Sequence, residues 1–335
     1  MRRKPAPRPR ASTPGPPRQL PTRRRTPMRR RRRRRARRGG FGFFLICLAI
    51  LIFALVYIFA GDRIFPPIGT IIFPAGEEII VSFLDVGQGD SIVVRSAGNA
   101  VLIDGGDHGT RGVVLAYLND AGITRLCYVV ATHPHADHIG GLVQVLRDFD
   151  IGSVVKPDIS TETQDTQVYR NFLEAIYNNA IHVIHPAPGD RLHAGIIEFE
   201  VISPSPDLES GRSVNDQSIV LRLAHGQTSF LFTGDAEVTA ERWMVDTRAN
   251  ISSDVLHVGH HGSRTSTTEE FLAAVAPEIA VISVGENNRH GHPHRDVISR
   301  LVYHEIEILR TDELGTIRML TDGRDITRKE NTPPN

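Results

Sequence analysis

One short segment concentrates potential metal ligands. THPHADHIGG, residues 132–141, holds three histidines and one aspartate directly after the apolar run CYVVA. In an extended chain, side chains two residues apart point the same way, so His133 and His135 can bind one metal ion together. Asp137 and His138 follow where the chain turns into a helix, and they can reach a second ion. The mixture of nitrogen and oxygen donors suits two zinc ions, with manganese or iron as alternatives; a polar helix-capping loop is the competing interpretation.

Two later segments supply candidates for the remaining ligands. Asp235 in TGD ends a strand, where a carboxylate can bridge two divalent ions. GHHGS places His260 and His261 after another strand. We expect one of these two histidines to complete the second metal site. We favour His260, with His261 contacting substrate or a neighbouring carboxylate.

The pattern His-x-His-x-Asp-His after a hydrophobic strand resembles the signature of the metallo-β-lactamase superfamily. Within that superfamily, the sequence is similar to the C-terminal domain of ComEC/Rec2 competence proteins over roughly residues 79–320. The long multi-span portion of that family has no counterpart among these residues. The segments that carry the resemblance appear in the family's order: FLDVGQGDSIVV, VLIDGG, HPHADH, NDQSIVLRL, FLFTGDAE, LHVGHHGSRTS and SVGENNRHGHPH.

The resemblance implies an α/β fold, an αββα sandwich of two mixed sheets. The hydrophobic pattern agrees with it, because short β-rich runs follow one another closely after Ile79 and later ones alternate with amphipathic helical stretches. Such an order favours two mixed sheets covered by helices over a regular parallel doubly wound sheet.

Further site residues are implied by the resemblance. Asp104 in IDGG is expected to orient ligand histidines rather than bind metal. Asp85 and Asp90 in DVGQGD are expected to line the site, although a tight hairpin turn would explain this segment equally well.

Many superfamily members carry another histidine between the HxHxDH segment and the bridging aspartate, and this chain has no convincing candidate there. It carries a polar segment instead, with Asn215, Asp216 and Ser218. The first metal is therefore expected to be bound by His133, His135 and the bridging aspartate plus water.

The segment NNRHGHPH is placed at the cleft by the same resemblance. His292 is expected to protonate a leaving oxygen or to hold a non-bridging oxygen. Arg264 and Arg289 are the candidate phosphate clamps near the ions.

A two-metal site of this kind predicts hydrolysis, with a metal-held hydroxide attacking an electrophilic carbon or phosphorus. The competence branch favours a phosphodiester, with DNA as the first candidate. The alternatives are a lactam, a thioester, a lactone or a surface phosphodiester, or a non-catalytic binding module stabilised by metal. Residues 1–40 hold 18 of the 39 basic residues and no acid, so the rest carries a net charge of −17, which argues against a long polyanion.

The N-terminal region predicts a membrane protein. Residues 1–40 form an Arg-rich arm expected to be disordered, and residues 41–60 form an uncharged apolar stretch long enough to span a bilayer. The basic arm predicts a cytoplasmic N-terminus and an extracytoplasmic catalytic domain, with lipid as the partner of the span; a cleaved signal peptide is the alternative. We expect a linker over residues 61–78, the hydrolase domain over 79–325 and a disordered tail over 326–335. No protein partner can be inferred.

Overall fold

The computed structural model describes residues 77–160, 164–205 and 213–329. The predicted basic arm, the predicted membrane anchor and the predicted linker up to residue 76 lie outside these residues. Within the three described ranges, no helix combines the length and the apolar character needed to cross a membrane.

The strands of the described residues form two mixed sheets. Their ranges in chain order are β1 (Ile79–Phe83), β2 (Ile92–Ser96), β3 (Asn99–Ile103), β4 (Arg125–Val130), β5 (Asp150–Val155), β6 (His182–Ile184), β7 (Arg191–Ala194), β8 (Ile197–Ser203), β9 (Val220–His225), β10 (Thr228–Phe232), β11 (Val255–His257), β12 (Ile279–Ile282), β13 (Glu307–Arg310), β14 (Ile317–Thr321) and β15 (Ile326–Lys329). The first sheet has the order β15-β14-β1-β2-β3-β4-β5-β6, and the second has the order β13-β12-β11-β10-β9-β8-β7. Neighbours from β3 to β6 and from β10 to β13 are parallel, and the other neighbours are antiparallel.

Helices cover the outer face of each sheet. They are α1 (Arg111–Asp120), α2 (Ala136–Ile139), α3 (Leu142–Asp148), α4 (Gln167–Asn178), α5 (Val238–Asp246), α6 (Glu269–Val275), α7 (Arg295–Tyr303) and α8 (Thr311–Leu314). Buried side chains of α1 to α4 pack on the first sheet, and those of α5 to α7 pack on the second. The layers are therefore helix, sheet, sheet and helix, which confirms the predicted α/β sandwich.

Strand periodicity explains why three separate apolar clusters form. Along β3, Val101 and Ile103 point into the cluster between the sheets, whereas Ala100 and Leu102 point toward the helices on the outer face. Alternate residues of a strand face opposite sides, so an uninterrupted apolar run is what a strand buried on both faces requires. Phe83 and Phe232 join the two sheets across the central cluster, with ring centroids 6.2 Å apart.

The parallel strands bring the polar motifs together. Asp104 directly follows β3, and the HxHxDH segment begins three residues after the end of β4. In the other sheet, Asp235 follows β10 and the GHHGS turn follows β11. Because the carboxyl ends of parallel strands lie at one edge of a sheet, these segments meet at the same edge of the sandwich.

The sequence pattern does not predict two of the strands. β7 is short and alternates exposed and buried positions, and β15 is an edge strand with one half-buried apolar residue, Ile326. β15 pairs with β14, so the prediction of a disordered tail from residue 326 is wrong for residues 326–329. The domain continues past residue 325 because backbone hydrogen bonds to β14 hold a segment that buries little apolar surface.

Candidate metal centre

The first of two ligand clusters lies beside the end of β4, and we call it the first pocket: His133, His135 and Asp235. The Nε2 atom of His133 and the Nδ1 atom of His135 are 2.9 Å apart. The same Nε2 atom is 3.5 Å from Oδ2 of Asp235. These atoms converge on one point, as ligands of a single ion must.

The second pocket is formed by Asp137, His138 and His261. Oδ1 of Asp235 completes it, at 3.3 Å from Nε2 of His138 and 3.6 Å from Nε2 of His261. Asp235 therefore offers one oxygen to each pocket, which is the bridging geometry predicted for it. His261, and not the favoured His260, lies beside Asp137, with 3.5 Å between Nε2 and Oδ2.

Hydrogen bonds fix the orientation of the ligand rings. Asp104 accepts the Nδ1 proton of His138 at 2.8 Å, and its other oxygen accepts the N–H of Thr132 at 2.8 Å. The Thr132 hydroxyl donates a hydrogen bond to Asp104 at 2.6 Å, so its oxygen can accept a hydrogen bond from Nδ1 of His133 at 3.2 Å. His261 donates its Nδ1 proton to the carbonyl of Ser283 at 2.9 Å.

With the Nδ1 protons engaged in this way, the Nε2 lone pairs of three histidines face carboxylate oxygens. Two acceptor atoms at such distances repel each other unless a cation or a proton lies between them. Among the described residues, Nε2 of His138, Nε2 of His261 and Oδ1 of Asp235 are buried without a hydrogen-bond partner. These orphaned atoms all lie in the second pocket and fit a divalent cation there, and the nitrogen and oxygen donors of the first pocket suit such a cation as well.

The electrostatics of the pockets agree with this assignment. Burial alone would raise the pKa of Asp235, but His138, His261 and His133 hold it well below its usual range. Burial lowers the pKa of His138 and His261, yet the surrounding carboxylates raise both well above the usual value. Carboxylates thus dominate the potential at His138 and His261 in the second pocket, the environment in which a divalent cation is stable. In the first pocket, burial and the neighbouring His138 lower the pKa of His133 and of His135.

Comparison with known proteins decides the family. The sequence pattern of the Metallo-beta-lactamase superfamily matches residues 84–286. The chain belongs to this superfamily. ComE operon protein 3 of Bacillus subtilis (strain 168) is 36% identical over 260 residues, which cover 71% of this chain and 32% of that protein. Competence protein ComA of Neisseria gonorrhoeae is 33% identical over 243 residues, which cover 72% and 32%. The predicted resemblance to ComEC/Rec2 competence proteins is confirmed, and the chain spans about a third of the length of these relatives.

A solved structure shows the same fold. The metallo-beta-lactamase fold protein YhfI from Bacillus subtilis superposes with a TM-score of 0.50 at 12% sequence identity, covering 73% of this chain and 100% of that one. At this identity, the likeness concerns the fold alone.

The aspartates of the DVGQGD turn differ in role. Asp90 is buried, with Oδ1 3.3 Å from Nδ1 of His261 and 3.4 Å from Nε2 of His257, so its carboxylate lies next to a ligand histidine of the second pocket. Within the described residues, neither oxygen of Asp90 has a hydrogen-bond partner, and Asp90 belongs to two further groups that could hold a metal ion. Gly89 lets the turn approach, since a Cβ there would lie 2.4 Å from the carbonyl oxygen of Asp137. Asp85 is exposed and accepts the N–H of Gly87, as the hairpin-turn interpretation requires.

The polar segment that stands in place of the missing histidine stabilises the backbone next to the metal centre. Ser218 accepts the N–H of Asp235 at 3.3 Å, and Asp216 accepts the N–H of Ala240 near the start of α5 at 3.1 Å. Asn215 lies at the cleft, with Nδ2 at 3.4 Å from Nδ1 of His260. Of the three, only Asn215 lines the cleft.

The pockets open into a cleft of about 610 Å³. Its lining is polar apart from one alanine and consists of Gln88, Asp107, His135, Ala136, Asp137, Asn215, Asp235, His260, Asn288, Arg289 and His290. Arg289 is therefore placed as predicted, whereas Arg264 is exposed and does not line this cleft.

His292 lies beside the centre, with its ring 5.5 Å from that of His260. Burial, with the nearby His260 and His261, lowers the pKa of His292 to about 4. Of the two roles predicted for His292, a neutral ring at pH 7 suits the holding of a non-bridging oxygen better than the protonation of a leaving oxygen.

Sequence reasoning missed Glu237 and His257. Oε1 of Glu237 lies 3.1 Å from Nδ1 of His260 and accepts the Thr265 hydroxyl at 2.7 Å. Burial would raise the pKa of Glu237, but these hydrogen bonds lower it to about 2. The position of Glu237 two residues after Asp235, in TGDAE, is the one sequence signal that could have found it.

Proposed function

We propose that this chain is a metal-dependent phosphodiesterase of the metallo-β-lactamase superfamily. One observation carries the proposal: the two oxygens of Asp235 face two histidine-lined pockets on the floor of a polar cleft. Two divalent ions bridged in this way would lower the pKa of a water molecule and offset negative charge on the reacting group.

The chain's own residues would then orient the substrate through hydrogen bonds and charge. Burial would raise the pKa of Asp137, but the nearby His261 and His138 hold it below its usual value, so this partly exposed carboxylate stays ionised at the cleft and can accept a hydrogen bond there. Neutral His292 can hold a substrate oxygen, and Arg289 at the rim suits a phosphate oxygen.

Two observations favour a phosphodiester over a lactam or a thioester, and a third limits the size of that phosphodiester. Relatives named for competence, and a 32% identical Recombination protein 2 of Haemophilus influenzae, favour a nucleic acid. Arg289 and His290 give one rim of the cleft donors suited to phosphate. The net charge of −17 outside the basic arm disfavours long-range attraction of duplex DNA, so short strands or small phosphodiesters are the better substrates.

We further propose that residues 41–60 anchor the protein in the membrane, with the N-terminus in the cytoplasm and the catalytic domain outside. The uncharged twenty-residue apolar segment next to the Arg-rich arm supports this orientation. Protease added to intact cells should remove the C-terminal domain; a domain that is protected until the cells are lysed would contradict the orientation.

The decisive experiment compares substrates on the full chain in detergent. Metal content is measured first, and hydrolysis of bis(p-nitrophenyl) phosphate, of single- and double-stranded DNA and of a lactam follows with Mn²⁺ or Zn²⁺. We expect metal-dependent cleavage of the phosphodiesters. Asp235→Ala and His133→Ala should each lower the rate by at least about 10³-fold, because several kcal/mol of charge stabilisation are lost.

His193→Ala is the matched control, since this exposed histidine on β7 pairs with Glu198. Its rate should equal that of the unaltered protein. Turnover that persists in Asp235→Ala and His133→Ala would show that the site is wrongly assigned, and turnover of the lactam alone would overturn the phosphodiester assignment.

A further inference from the structure

We propose that His260, held by Glu237, is a fourth ligand of the first pocket and takes the place of the histidine that this chain lacks between the HxHxDH segment and the bridging aspartate. The inference rests on the proposed metal-dependent function, but it concerns metal binding and not the identity of the ester that is cleaved. It assigns the two neighbouring histidines of GHHGS to different ions.

The distances divide these histidines between the two oxygens of Asp235. Nε2 of His260 is 3.6 Å from Oδ2, and Nε2 of His133 is 3.5 Å from the same oxygen. Nε2 of His261 is 3.6 Å from the other oxygen, Oδ1. His260 therefore stands on the side of Asp235 that faces the first pocket.

The backbone of GHHGS produces this division. His260 and His261 have φ angles of 50° and 54°, a left-handed conformation that residues with a Cβ adopt rarely. Their rings diverge, with centroids 6.1 Å apart and planes at 70°. Two consecutive residues held in an unfavourable conformation indicate a functional constraint, and directing two side chains to two oxygens of one carboxylate is such a constraint.

Glu237 sets the tautomer of His260. Its Oε1 atom lies 3.1 Å from Nδ1 of His260, and the Thr265 hydroxyl donates to the same oxygen at 2.7 Å. A proton on Nδ1 that points at Glu237 leaves the Nε2 lone pair directed at Asp235. A carboxylate behind a histidine in this arrangement raises its basicity as a metal ligand. Glu237 is thus a positioning residue that acts through His260.

The chain offers a closely matched control pair. His304 is a partly exposed histidine whose Nε2 atom pairs with Oε1 of Glu269 at 2.6 Å, and it lies at the end of α7. Its side chain is 29% exposed, against 23% for His260. His304→Ala and Glu269→Gln remove a histidine–glutamate pair whose histidine is similarly exposed and which does not face Asp235.

The test measures metal binding to the full chain in detergent without substrate. Mn²⁺ and Zn²⁺ are titrated by calorimetry, and bound metal is counted by mass spectrometry after dialysis. We expect two ions in the unaltered protein and in both control variants. His260→Ala should weaken one ion at least about 10-fold, and Glu237→Gln should weaken that same ion by about 10- to 100-fold.

Double variants identify which ion is affected. His260→Ala combined with His133→Ala should cost little more than His133→Ala alone, because both residues serve one ion. His260→Ala combined with His261→Ala should lose both ions. A circular dichroism spectrum and melting temperature close to those of the control variants establish folding; where His260→Ala fails that criterion, His260→Asn replaces it.

Two ions bound by His260→Ala, each with a dissociation constant within 2-fold of the unaltered protein, would overturn the proposal. The same holds if the affected ion is the one that His261→Ala removes. Absence of phosphodiesterase activity with this binding pattern intact would refute the proposed substrate and leave the ligand assignment standing.

Discussion

The two pockets share Asp235 but differ in depth. In the second pocket, His138 and His261 are 0% and 2% exposed, and their Nδ1 atoms are anchored by Asp104 and by the carbonyl of Ser283. In the first pocket, His133 is equally buried, but His135 is partly exposed and lines the cleft. Both pockets open into the cleft, the second through Asp137, but the histidines of the second pocket are core side chains, whereas His135 of the first pocket lines the cleft.

We expect from this difference that the second pocket holds a tightly bound, structural ion and the first pocket a more readily exchanged ion. Rigid, fully anchored ligands lose little conformational freedom on binding, so the second pocket should hold its ion more tightly. Ligands that face solvent keep freedom to adjust, so substrate oxygens and water have access at the first pocket. The comparison predicts unequal metal affinity and an entry point for substrate.

Metal removal tests this inequality most directly. Titration with a chelator should release the first-pocket ion at a concentration at least about 10-fold below that needed for the second, with activity lost in the first step. His261→Ala should eliminate the tighter ion and lower the hydrolysis rate by at least about 10³-fold, because the bridging carboxylate loses one of its two cations. Metal counting after stepwise dialysis checks both statements.

Simultaneous release of both ions from the unaltered protein would contradict the predicted difference in metal affinity between the two pockets. Retention of the tighter ion in His261→Ala would show that the second pocket is not where the geometry places it.

The sequence predicts a large part of this centre because motif and topology reinforce each other. The HxHxDH segment follows a strand that the apolar run CYVVA predicts, and Asp235 follows another, so their meeting at one edge of the sandwich follows from parallel pairing in both sheets. The division of labour between His260 and His261 could not be predicted, since two left-handed residues follow neither the strand nor the helix period. Glu237 was missed for a related reason: its contact with His260 depends on how the turn after β11 packs against the start of α5.

Changes to the hydrogen-bond partners of the ligand histidines should have a smaller effect on metal affinity. Asp104 contacts His138 directly but reaches His133 only through the Thr132 hydroxyl. Asp104 has a φ of 56°, which asparagine tolerates well, so Asp104→Asn removes the charge with little change of backbone. We expect metal affinity in the second pocket to fall by about 10- to 100-fold and affinity in the first to fall less.

Thr132→Val is the companion variant, since it removes the relay to His133 and keeps the carboxylate. Calorimetric titration should show a several-fold weakening of the first-pocket ion alone. The prediction would be contradicted if Asp104→Asn lowered the metal affinity of the first pocket more than Thr132→Val does and left the affinity of the second pocket unchanged. Asp104 would then stabilise the first pocket and not the second.

The smallest expected effect lies at the rim of the first pocket, where substrate enters. Arg289 lines the cleft beside His290, whereas Arg264 is exposed outside it. Arg289→Ala should raise KM for a phosphodiester by about 5- to 10-fold with little change in kcat, since an exposed charge contributes to binding more than to the reaction itself. The effect should shrink at high salt, because screening weakens exposed charges. Arg264→Ala is the matched control and should leave KM unchanged; equal effects of the two variants would mean that substrate approaches over a wider surface than this cleft.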